Sequence, residues 1–198
     1  MKRVPRAALA LVGVLALALT GCTSWSRASV AAQVGDTTIS VSSVDQLASG
    51  IMAAYKTAGN PIDPTVAPKA AVQGLVIGAL LNQASDKGES IVPASAITSM
   101  TQVDPNLSDA TQKAQAEALA TLVKAITAIP SGTDWLRGEL AIGQAQNSPD
   151  AATALTSLAK SVPVAINPRF GTWDSAQGGF VNETGSLSTP APTPTPAS

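Results

Sequence analysis

Residues 30–47 read VAAQVGDTTISVSSVDQL, and this stretch decides the fold. Gly35 and Asp36 form a two-residue turn with glycine first, which is typical of a type II′ β-hairpin. The pairs on its predicted core-facing side are Val34–Thr37, Ala32–Ile39 and Val30–Val41. The solvent-facing side then holds Ala31, Gln33, Thr38 and Ser40. The pattern therefore predicts a hairpin with one buried and one solvated face.

Helices are predicted to follow the hairpin. Ser43, with Gln46 three residues later, matches a capping box and is the expected start of the first helix, which ends at Gly59. Periodicity and end signals place further helices over residues 68–87, 93–102 and 108–129, after Ser131 or Thr133, and from Ser148. The helix over residues 108–129 carries an apolar stripe made of Leu119, Leu122, Val123, Ile126 and Ile129.

The helix over residues 68–87 is apolar around much of its circumference, so we place it at the centre of the domain. Gly74 and Gly78 form a G-x-x-x-G pattern on it. The apolar run is too short to span a membrane. We therefore interpret the two glycines as a surface for close packing against another helix.

Residues 162–166, VPVAI, alternate in the manner of a strand, and Pro163 restricts that strand to the edge of a sheet. A two-stranded hairpin alone is only marginally stable in water. We therefore predict that this C-terminal strand joins the N-terminal hairpin. The expected fold is mostly α with a small antiparallel sheet, a helical domain closed by an N-terminal hairpin and a C-terminal edge strand.

A positively charged segment is followed by an apolar run over residues 7–19, and the tetrapeptide LTGC, residues 19–22, begins with the last residue of that run. This arrangement resembles the lipobox of bacterial lipoproteins, in which the cysteine receives a diacylglyceryl lipid with acyl chains such as palmitate. It implies a signal peptide over residues 1–21, lipidation at Cys22 and a location on the extracytoplasmic face of the cell membrane. The alternative is an ordinary secretory signal with an incidental cysteine.

The remaining chain divides into a tether (22–28), a folded domain (29–181) and a disordered tail rich in proline and threonine (182–198). Removal of residues 1–21 takes Lys2, Arg3 and Arg6 from twelve basic residues and none of the thirteen acidic ones, which leaves a net charge of −4. This balance argues against nucleic acid as a partner, because nucleic-acid binding needs a basic surface.

The residues give no sign of an active site. The chain has no histidine and one cysteine, which removes the commonest nucleophile–base pairs and metal sites. We interpret the scattered acids as solvated or helix-start charges; they are Asp45, Asp63, Asp86, Glu89, Asp104, Asp109, Glu117 and Glu139. We therefore expect no enzymatic activity, no metal and no cofactor.

Three segments in order resemble SurA/PrsA-type extracytoplasmic chaperones: residues 30–47, residues 75–92 with their ending LLNQASDKGESIV, and residues 165–174, AINPRFGTWD. The resemblance implies a helical domain, completed by a C-terminal segment, that holds unfolded or partly folded exported proteins. The absence of histidine and of a free block of residues implies that the parvulin isomerase domain is lacking. The expected function is a lipid-anchored holdase, with a non-enzymatic accessory lipoprotein of an envelope complex as the alternative.

Four residues near the C-terminus are candidates for a client-binding or structural loop: Arg169, Phe170, Trp173 and Asp174. In the first role, aromatic and guanidinium groups contact a client peptide. In the second role, which we favour, Phe170 and Trp173 cap the helical core while Arg169 pairs with a carboxylate.

Overall fold

The computed structural model describes residues 29–86 and 92–181. The predicted signal peptide (1–21), lipidation site Cys22, tether (22–28) and tail (182–198) lie outside the described residues. The described helices are α1 (Val41–Thr57), α2 (Ala67–Asp86), α3 (Ala94–Met100), α4 (Ala110–Thr127), α5 (Gly132–Asn147) and α6 (Pro149–Ser161). The strands are β1 (Val30–Val34), β2 (Thr37–Ser40), β3 (Val164–Ile166), β4 (Trp173–Asp174) and β5 (Gly179–Phe180). The predicted class, mostly α with a small antiparallel sheet, is confirmed.

The two ends of the described domain meet in one antiparallel sheet of strand order β2-β1-β3. Ala32 of β1 pairs with Ile166 of β3, and Val34 pairs with Val164. Pro163 lies just before β3, and its carbonyl accepts a hydrogen bond of 2.8 Å from the Gly35 amide. The prediction that the C-terminal edge strand completes the hairpin is therefore confirmed.

The predicted hairpin register is correct near the turn and wrong at its start. Gly35 has a φ of +52°, as the glycine-first turn requires. The pairs Val34–Thr37 and Ala32–Ile39 form as expected, but Val30 lies opposite Ser40 rather than Val41. The cause is a β-bulge at Ala31, which places the methyl group of that residue in the core instead of in solvent.

Asn167, just after β3, holds this bulge. Its backbone amide donates to the Ala31 carbonyl at 2.8 Å, and its side-chain Nδ2 donates to the Val30 carbonyl at 3.0 Å. The chain enters α1 directly from β2, since β2 ends at Ser40 and α1 begins at Val41. The N-cap is therefore Ser40, whose Oγ accepts from the Ser43 amide at 3.0 Å, and the prediction of Ser43 as the cap is wrong.

Helix α2 lies at the centre of the domain and contacts α1, α5, α6 and the strands β1 and β2. Its predicted close-packing surface is confirmed by its crossing with α5. A Cβ added at Gly78 would lie 2.3 Å from the Asp134 carbonyl oxygen, and one added at Gly138 of α5 would lie 2.1 Å from the Gly74 carbonyl oxygen. The two backbones approach so closely that only glycine fits at these positions.

The remaining helix boundaries follow the predictions within a few residues. Helix α4 is capped by Asp109, whose carboxylate accepts from the Gln112 amide at 2.8 Å. Ser131 precedes α5 with a left-handed φ of 63° and makes no side-chain cap. Ser148 caps α6 as predicted, with Pro149 as the first helical residue. Of these helices, α4 and α5 border the candidate site.

Candidate functional site

The structure places Arg169 and Phe170 in a 3₁₀ turn over Pro168–Phe170 that leads out of β3. Phe170 is buried in the core, with 3% of the residue exposed. The Arg169 guanidinium lies over the Phe170 ring, 4.4 Å from its centroid, and pairs with Asp45 at 3.7 Å. Arg169 and Asp45 both remain about half exposed.

Trp173 and Asp174 form β4, which pairs with β5 in a second, two-stranded sheet. The Trp173 ring meets the Phe180 ring edge to face, with centroids 5.7 Å apart. The Asp174 carboxylate accepts hydrogen bonds from the Ala176 amide and the Gln177 side chain, and these bonds lower its pKa. All four predicted loop residues thus make contacts within the domain, and a role for them in client binding stays a prediction.

A different surface offers room for a ligand. Two clefts lie on either side of α4, and the half-buried Leu122 lines both. The α4–α5 cleft has a volume of about 470 Å³ and is closed by Tyr55 of α1 and Met100 of α3. The α1–α4 cleft has a volume of about 590 Å³. Together they form a mainly apolar depression across three helices.

Small side chains explain the α1–α4 cleft. Its lining residues are Gly50, Ala53, Ala54, Thr57, Ala58, Ala118, Thr121, Leu122, Ala125 and Ile129. Ile129, two residues after the end of α4, closes the space beside Gly50, where an added Cβ would lie 2.5 Å from Ile129 Cδ1. Elsewhere the alanine side chains are too short to fill the space between the helices. The groove is therefore open, and alanine methyl groups, two threonines, Leu122 and Ile129 form its walls.

Larger side chains line the α4–α5 cleft. Helix α4 contributes Leu119, Leu122, Val123 and Ile126, and helix α5 contributes Trp135, Leu136 and Leu140. Trp135 is fixed, because its Nε1 donates to the Ala70 carbonyl of α2 at 3.0 Å. Leu119 belongs to the predicted apolar stripe of α4, yet 46% of it is exposed at the rim. The stripe is thus only partly buried, and its uncovered end forms one wall of the cleft.

One carboxylate lies among these apolar walls. Glu139 is half-buried, and a Cβ at Gly74 would lie 3.0 Å from its Oε1. Burial raises the pKa of Glu139 to about 7. Burial also raises the pKa of Tyr55, and the Glu139 charge adds to that rise. The interpretation of Glu139 as a solvated charge is therefore wrong; its position four residues after Trp135, on the same face of the helix, is the signal that could have shown this.

No hydrogen bond or ion pair joins the Glu139 carboxylate to any residue in the described part of the chain. Within residues 29–86 and 92–181, no three His, Cys, Asp or Glu side chains come together as metal ligands. No helix in the same ranges is long and apolar enough to cross a lipid bilayer. The site that the structure shows is therefore an apolar double cleft with one carboxylate.

No protein-family model, no curated protein and no solved structure matches this chain. The resemblance to SurA/PrsA-type chaperones therefore stays a prediction.

Proposed function

We propose that this chain is a lipid-anchored protein on the extracytoplasmic face of the cell membrane that holds unfolded or partly folded exported polypeptides. The proposal includes no enzymatic step and no cofactor. The observation that carries it is the pair of apolar clefts that share Leu122. A protein that holds unfolded chains needs such a surface, since apolar side chains are what unfolded clients expose.

The dimensions of the clefts fit short peptide segments. Each volume falls in the range of about 300–1,000 Å³ that is typical of ligand pockets. Each fully buried aliphatic client side chain gains about 1.5–3 kcal/mol. Two or three such side chains give weak, reversible binding after the cost of ordering the client. This is the affinity range that suits temporary holding.

The anchor is the second part of the proposal and depends on Cys22. We expect Cys22→Ala to release the protein from membranes, because a diacylglyceryl group supplies two acyl chains and stable anchoring needs two such signals. Fractionation of cells that express the wild type and the variant measures this. Equal membrane retention of the two proteins would exclude lipidation at Cys22 as the anchor.

Aggregation assays with two unrelated unfolded clients test the holding activity. The purified full chain should delay aggregation of both clients, and Leu119→Glu should reduce the effect severalfold by placing a charge at the rim of the α4–α5 cleft. Val66→Glu is the matched control, because Val66 is similarly exposed at 52% and lines neither cleft. Neither residue is in the core, so neither variant should unfold.

Two results would contradict the holding activity. One is a wild-type protein that delays aggregation of neither client, and the other is a Leu119→Glu variant that is as active as the wild type. Crosslinking in intact cells that captured one stoichiometric partner, together with the first result, would favour an accessory subunit of an envelope complex.

A further inference from the structure

We infer that the α4–α5 cleft selects client segments in which a lysine or arginine lies among aliphatic residues, with Glu139 accepting the positive charge. This inference rests on the proposed function and specifies the chemistry of the client. It depends on three features of the cleft as residues 29–86 and 92–181 form it: its apolar walls, its single carboxylate and the lack of a partner for that carboxylate.

The charge balance of the cleft is one-sided. Among the described residues, its lining includes one acidic side chain, Glu139, and no lysine or arginine. Tyr55 is the other titratable side chain that lines it. A partly desolvated carboxylate without a counter-charge is unfavourable, and burial accordingly raises the pKa of Glu139. A cation that enters the cleft would remove this penalty, whereas a neutral side chain would leave it in place.

The shape of the cleft suits the long side chains of lysine and arginine. Leu122, Leu140 and Met100 offer apolar surface for the methylene groups, and Glu139 lies within the same cleft. Lysine and arginine side chains commonly pack their stems on apolar surface while the charged end finds a polar partner. Trp135, fixed by its bond to the Ala70 carbonyl, gives this cleft a rigid wall.

The two clefts should therefore differ in selectivity. In the part of the chain that the structure describes, the α1–α4 cleft is lined by alanine, threonine, glycine, leucine and isoleucine, with no charged side chain. It can accept the neighbouring aliphatic residues of the same client segment across Leu122. A segment with one cation flanked by leucines would then place its charge in one cleft and its apolar residues in both.

Calorimetric titration of the full chain with two peptides tests the inference. The peptides share the sequence GSLLXLLSG, with lysine at X in one and norleucine, which keeps the stem but lacks the ammonium group, in the other. We expect the wild type to bind the lysine peptide about tenfold more tightly, the ratio for one hydrogen-bonded charge pair. Glu139→Gln should abolish this preference and still bind the norleucine peptide. Glu117→Gln, which removes an acid from the exposed face of α4, should keep the preference.

The outcomes separate the inference from the proposed function. Equal binding of both peptides by the wild type, or a lysine preference that persists in Glu139→Gln, overturns the inference and leaves the holding activity intact. Failure of the wild type to bind either peptide contradicts the proposed function, and the inference falls with it. Norleucine binding by Glu139→Gln also shows that this variant is folded.

Discussion

Replacing Gly138 by alanine tests whether the α2–α5 crossing is as close as the structure shows. The new Cβ would lie 2.1 Å from the Gly74 carbonyl oxygen, whereas ordinary contact begins at 3.4 Å. The obstructing atoms belong to backbone, so no rotamer change relieves the clash. The helices must separate by roughly 1 Å, and overpacking of this kind costs about 3 kcal/mol.

Alanine also stabilises a helix by about 1 kcal/mol relative to glycine. The expected net loss in the free energy of unfolding for Gly138→Ala is therefore about 2 kcal/mol, which corresponds to a fall in Tm of about 4–8 °C for a chain of this length. Denaturant and thermal unfolding followed by circular dichroism measure both values.

Gly143→Ala is the matched control, because Gly143 lies in the same helix and an added Cβ there meets no atom within 4 Å. This variant should be about 0.5–1 kcal/mol more stable than the wild type. If Gly138→Ala proved as stable as Gly143→Ala, the close approach of α2 and α5 would be refuted.

Three further predictions concern single side chains. Because the pKa of Glu139 is raised from 4.5 to about 7, the folded state binds its proton more tightly than the unfolded state does; wild-type stability should fall as the pH rises between these values. Urea unfolding should show that Glu139→Gln gains up to about 3 kcal/mol of stability relative to the wild type as the pH rises from 4.5 to above 7. A stability difference between the two proteins that stays constant over this pH range would exclude the desolvated carboxylate. Phe170→Ala should lower the free energy of unfolding by about 3–4 kcal/mol, measured by chemical denaturation, because the ring is buried. Arg169→Ala should lower it by less than about 1 kcal/mol, because the ion pair of Arg169 is exposed. Ser40→Ala should cost about 1 kcal/mol in thermal unfolding through loss of the helix cap, and a larger effect of Ser43→Ala would contradict the assignment of the cap.

The pairing of the C-terminal strand with the N-terminal hairpin can be predicted from the sequence, because short sequence patterns mark a turn near the start of the domain and an edge strand near its end. The turn at Gly35 fixed the nearest pairs of the hairpin, and Pro163 restricted the last strand to an edge. The bulge at Ala31 could not be predicted, because the group that holds it is Asn167, which lies far along the chain. The capping-box pattern at Ser43 favours a helix start three residues after the observed cap, Ser40, because the local sequence does not show that α1 follows β2 without a loop.

The sequence alone does not predict the two clefts of the candidate site. A periodic apolar stripe on α4 indicates which face is apolar, but it does not show how far α1 and α5 cover that face. Leu119 therefore belongs to a core-like pattern and still lies at the rim of a cleft. The spacing of Glu139 from Trp135 indicates that Glu139 is partly buried, but only the position of α4 shows that the shared helix face borders a cleft.

The central position of β1 in the sheet has a consequence for biogenesis. Its partner on one side is the adjacent strand, but its partner on the other is β3, which a ribosome makes only after all six described helices. Until residues 164–166 have been translated, one edge of β1 has unpaired amides and carbonyls that can bind a second extended chain. A purified chain that ends at residue 163 should therefore be more sensitive to proteases than one that extends to residue 181.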